Sequence, residues 1–126
     1  MKTVHTMGAQ GDCLFRRIAE LPGGMRLHPP SDRIIVAHSE TGHHHSIDDT
    51  HGVRFFSDPR NPLVCYLVME GVEYADVVHH RPFDTHETLR LLAAPDKKTV
   101  FEVRGQREFV DRRTRDVTDA WMRVCD

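Results

Sequence analysis

Turn residues interrupt this chain so closely that almost no segment has room for a long helix. Leu21-Pro22-Gly23-Gly24, His28-Pro29-Pro30-Ser31-Asp32, Thr41-Gly42, Asp58-Pro59-Arg60-Asn61-Pro62, Glu70-Gly71 and Ala94-Pro95-Asp96 divide it into short pieces. Between these breaks lie runs rich in β-branched and alternating apolar residues, the pattern of half-buried strands. The runs are Asp12 to Ile18, Arg33 to His38, His43 to Ile47, Val53 to Phe56, Glu73 to His79, Thr88 to Leu92 and Thr99 to Arg104. Leu63 to Met69 is almost continuously apolar, as expected of a strand buried on both faces. A tight Gly105 then leads into Gln106 to Val110.

Only the C-terminal segment has a helical period. Val117, Ala120, Trp121 and Val124 fall at i, i+3, i+4 and i+7, with Asp111 or Thr114 as a cap. The expectation is a mainly β, single domain spanning residues 1–126. It would be a small barrel or sandwich of about eight short strands over residues 12–110, with one C-terminal α-helix over 113–123. Trp121 should pack against the sheet. At 126 residues the chain is long enough to bury one core.

Composition narrows the partners. The net charge of −2 argues against a whole-chain nucleic-acid footprint. Arg112, Arg113 and Arg115 make a small basic patch that Asp111, Asp116 and Asp119 dilute. No apolar run approaches a membrane span, and the first residues lack a signal-peptide core. Cys13, Cys65 and Cys125 are an odd number without a CxxC pair, so three reduced thiols and a cytoplasmic setting are expected, with Cys13 and Cys65 buried in strands. The biological partner is open, and a homo-oligomer is compatible with the sequence.

The chain carries ten histidines, five of them within 38–51. In a strand, residues two apart share a face, so His43 and His45 should project together while His44 points away. His79, His80 and His86 form a second group, and His79 shares the more apolar face of its strand with Ala75 and Val77. His43, His45, His79 and His86 together would make a nitrogen-rich site for a divalent transition metal, zinc first among zinc, iron, nickel and copper. Glu40 stands across the Thr41-Gly42 turn, where a carboxylate serves either as general base beside a metal-bound water or as an orienting partner for a histidine ring. Solvated surface histidines and a solvated turn glutamate explain the same residues without any site.

Several of these motifs resemble those of a family of small uncharacterised bacterial and phage proteins. Gln10-Gly11-Asp12-Cys13-Leu14-Phe15 is similar to its opening strand, and Glu40-Thr41-Gly42-His43-His44-His45 to its central Glu-x-Thr-Gly-His-x-His signature. His79 and His86 correspond to a second, more closely spaced histidine pair, and Gln106-Arg107-Glu108-Phe109 to the closing Gln-Arg-Glu-aromatic motif. The resemblance implies a shared histidine site and brings no reaction with it. Three function classes follow: a metal-dependent hydrolase using Glu40, a non-enzymatic binding or regulatory module with structural histidines, and an accessory protein in which the histidines are incidental.

Overall fold

The computed structural model describes residues 1–37, 44–79 and 87–105 of the chain. Among them are eleven strands and no helix. The strands are β1 (Lys2–Val4), β2 (Met7–Gln10), β3 (Cys13–Ile18), β4 (Arg26–Leu27), β5 (Ile34–Ala37), β6 (His45–Ile47), β7 (Val53–Asp58), β8 (Asn61–Met69), β9 (Tyr74–His79), β10 (Leu89–Leu92) and β11 (Thr99–Gly105). They form two separate sheets, ordered β1-β10-β9-β6-β5 and β2-β3-β11-β8-β7-β4. The fold is therefore an open β-sandwich and not a closed barrel. All pairings are antiparallel except β1 with β10, which run parallel from Lys2↔Leu89 to Val4↔Leu91.

Alternation builds the core. In β9, Ala75, Val77 and His79 turn inward and are buried, whereas Tyr74 is exposed and Asp76 and Val78 are half-buried. Cys65, Leu67 and Met69 of β8, and Phe101 and Val103 of β11, meet Ile47, Val77, Leu89 and Leu91 from the opposite sheet. Cys13 and Cys65 are buried free thiols in this layer. Burial pushes the Cys13 thiol well above its ordinary value and the Cys65 thiol up to about 12.

Three expectations need correction. Strands begin at Lys2 rather than near residue 12, and they outnumber the eight expected. The additional ones are β1, β2 and β4. β4 has two residues, and β2 buries Gly8 and Gln10, so neither carries an apolar alternation. The Asp58-to-Pro62 break is shorter than expected, because β8 starts at Asn61 where its pairing with β7 shifts register between Ser57 and Asp58. The C-terminal helix expected over 113–123, the position of Trp121, and Cys125 lie outside the described residues. No helix among the described residues is long and apolar enough to cross a membrane.

Candidate functional site

The backbone register brings His45 and His79 together. β6 and β9 pair antiparallel with His45 directly opposite His79, so both rings leave the sheet on the same face. That face is the core side: His45 is 2% exposed and His79 5%. Their rings stack with centroids 4.0 Å apart and an interplanar angle of 7°.

Two residues of the opposite sheet complete the cluster, and a tight turn delivers both. β2 and β3 form a hairpin in which Gln10 pairs with Cys13, leaving Gly11 and Asp12 as the two-residue loop. Gly11 has φ +59°, the left-handed value that a two-residue loop with glycine first requires. Gln10 ends β2 with its side chain crossing to the other sheet. Its Nε2 donates to the carbonyl oxygens of Val77 at 2.8 Å and Glu87 at 2.9 Å.

Both amide protons are thereby used, and Gln10 Oε1 faces His45 Nδ1 at 2.9 Å. An oxygen in the Nε2 position would face two carbonyl oxygens, so the amide has one workable orientation. It follows that His45 Nδ1 carries a proton and donates it to Gln10. The His45 Nε2 is then the variable nitrogen, and it points at Asp12 Oδ1 across 3.2 Å. The His45 hydrogen bond holds the Asp12 carboxyl below its ordinary value, against a smaller opposing effect of burial; the charges of His45 and His79 add to the lowering. An ionised Asp12 bonds to Nε2 when that nitrogen is protonated. When it is not, a cation fits in the proton's place. Two ligands about 2.1 Å from one ion and in tetrahedral array stand roughly 3.4 Å apart, close to the separation seen.

Three strand ends meet here. β5 stops at Ala37, which pairs with His45 across the hairpin. β9 stops at His79. β11 stops at Gly105, opposite Cys13, where an added Cβ would lie 4.0 Å from that of Ala37. Segments 38–43, 80–86 and 106–126 therefore all continue from the end of the sandwich that holds His45, His79 and Asp12.

Of the four expected metal ligands, the described structure juxtaposes His45 and His79. His43, His86 and the expected proton carrier Glu40 lie outside the described residues, as do His80 and Gln106 to Glu108. His44 is half-buried beside His45. Among the described residues, no three His, Cys, Asp or Glu side chains form a ready enclosure for an ion. Sequence reasoning missed Gln10 and Asp12. Their signal was the Gln-Gly-Asp turn, which reads as a strand opening unless its contact with β6 is known.

Two described cavities lie elsewhere. One of about 500 Å³ is lined by Leu27, His28, Phe55, Arg33 and Arg54, and its two arginines are already paired with Asp48 and Glu70. The other, about 440 Å³, is bordered by Asp48, Asp49, Glu73 and Asp76. Neither reaches His45 or His79.

No curated protein and no solved structure matches the chain. Residues 9–93 match a family described as "Domain of unknown function (DUF8820)", and this stretch includes the hairpin, His45 and His79.

Proposed function

The chain belongs to the DUF8820 domain family, and from that premise we propose that it is a small metal-binding protein whose ion sits at His45, His79 and Asp12. The observation that carries the reading is the orientation of His45. Its Nδ1–H is committed to Gln10, which leaves Nε2 and the Asp12 carboxylate facing each other at a separation suited to a shared cation. His79, whose ring stacks on that of His45, is the neighbouring nitrogen donor and would turn out of the stack to join them. His43 and His86 are the further ligands in this reading, because both segments that carry them leave from this end of the sandwich. Imidazole and carboxylate donors suit a divalent transition ion, zinc first. The bacterial and phage motif pattern, with its Glu-x-Thr-Gly-His-x-His signature, belongs to the same proposal.

The enzymatic form of this reading is a metal-dependent hydrolase. Zinc would supply an acidified water, and Glu40 would take its proton. The non-enzymatic form uses the ion to hold segments 38–43 and 80–86 against the sandwich. Glu40→Gln separates the two, since it keeps the ion in both and removes hydrolysis only in the first.

Calorimetric titration of tag-free protein with zinc tests the site. One ion should bind per chain. His45→Ala and His79→Ala should each weaken binding strongly, and exposed His51→Ala should leave it unchanged. Acidification, which protonates imidazoles, should release the ion. A wild-type chain that takes up no zinc, or a His45→Ala/His79→Ala chain that binds as wild type does, overturns the proposal.

A further inference from the structure

The outward face of β8 and β11, in the middle of the six-stranded sheet, is buried although no described strand lies over it. Alternation sends Cys65, Leu67, Met69, Phe101 and Val103 into the core. Their alternates Val64, Tyr66 and Val68 on β8, and Val100 and Glu102 on β11, point to the opposite side. These five are nevertheless only 3% to 6% exposed, namely Val68 3%, Val64 4%, Val100 4%, Tyr66 5% and Glu102 6%. Registry makes them one patch: Val100 lies opposite Val68, Glu102 opposite Tyr66, and Arg104 opposite Val64. At its centre Glu102 is held by Arg16 at 3.2 Å and Arg104 at 2.8 Å. A carboxylate placed among valines and a tyrosine needs these partners only if water is kept away from it. By contrast, the outward face of the five-stranded sheet carries Tyr74 at 45% exposure.

We infer that residues 106–126 of this same chain cover that face, docking the Val117, Ala120, Trp121 and Val124 stripe as a helix across β3, β11 and β8. The segment begins where the patch lies. It continues from Gly105, the last residue of β11, and β11 is flanked by β3 and β8. The lengths agree. Strands β3 and β8 are roughly 10 Å apart across β11, and an eleven-residue helix over 113–123 is about 16 Å long. Residues 106–112 reach up to about 23 Å when extended, enough to turn back over the sheet. The stripe is apolar and the rest of the segment is charged, which matches one face against valines and the other toward water. This inference does not depend on the metal reading.

Trp121 is the only tryptophan, so its emission reports the docking directly in the full chain. Acrylamide should quench native Trp121 much less than the urea-unfolded chain, and its emission should be blue-shifted. Val117→Asp in the segment, and Val68→Asp on the sheet, should each abolish the shielding, whereas Tyr74→Asp on the opposite face should leave it intact. Val117→Asp lies outside the described strands and keeps the test valid if Val68→Asp does not fold. Native Trp121 quenched as readily as in the unfolded chain overturns the inference. So does shielding that vanishes on dilution as a dimer dissociates in sedimentation, because a second copy would then be the cover. Loss of shielding with Tyr74→Asp, or shielding that survives Val117→Asp, overturns it as well.

Discussion

Gln10→Leu removes a side chain whose three hydrogen bonds tie β2 to the opposite sheet at the histidine cluster. The leucine fills a similar volume, so the change is chiefly one of hydrogen bonding. His45 Nδ1–H is left without its acceptor in a site where His45 is 2% exposed. An unsatisfied buried donor costs about 1–3 kcal/mol. The Val77 and Glu87 carbonyls each lose one hydrogen bond, about 1 kcal/mol apiece. Added apolar burial by leucine returns about 1 kcal/mol. The net expectation is a loss of about 2–4 kcal/mol, or roughly 10 °C in melting temperature for a domain of this size. Urea denaturation followed by far-UV circular dichroism measures it, with the slope of the transition compared to confirm that only stability changed. A loss under about 0.5 kcal/mol would show that Gln10 is not the clamp described, and with it the argument for a proton on His45 Nδ1 would fail.

Asp12 sets an acid limb. Its folded carboxyl lies below its ordinary value of about 3.9, so its stabilising effect is complete above that value and is lost as pH falls through the lower folded one. Wild type should therefore lose more stability than Asp12→Asn between about pH 5 and pH 2; parallel curves would refute the pairing with His45. Gln10→Leu should also weaken zinc binding by roughly 10–100-fold if His45 is a ligand, since it removes the group that orients the ring; unchanged affinity by calorimetry would detach Gln10 from the site. The burial of Cys13 and Cys65 predicts slow labelling by a thiol reagent in native protein and three thiols in denaturant; a titre of one would mean a disulfide. Gly52 has φ +72° and an added Cβ would lie 2.7 Å from the Glu70 carbonyl oxygen, so Gly52→Ala should cost about 1–3 kcal/mol by urea denaturation. A neutral result there would show that the turn relaxes freely.

What could be read from the sequence was what local chemistry controls. Val36, Val77, Leu89, Leu91 and Val103 are all buried, and each belongs to a run whose alternation is visible without a structure. Period-two spacing likewise places His79 with Ala75 and Val77. β2 escaped because its inward residues are Gly8 and Gln10. A Cβ at Gly8 would meet Val4 Cγ2 at 2.5 Å, so the side chain that fills that part of the core comes from β1. Hydropathy has no sign for a glycine made necessary by another strand's valine. The site partners were hidden for a related reason. The bonds from Gln10 to Val77, Glu87 and His45 join parts of the chain far apart in sequence, and only the sheet pairing brings them within reach.

The pairing of β1 with β10 and of β3 with β11 has a consequence for how the molecule is made. β1 and β3, both within the first eighteen residues, have partners that begin at Leu89 and Thr99, so they leave the ribosome long before those partners exist. Hairpins such as β7–β8 can close during synthesis, whereas neither sheet acquires its full width until β10 and β11 emerge. Loop-closure entropy on this scale slows folding and leaves strand edges unpaired in the meantime. Nascent chains stalled before residue 89 should therefore depend on chaperones, and a circular permutant that joins the natural termini and so places β1, β2 and β3 after β11 should refold faster than the natural order.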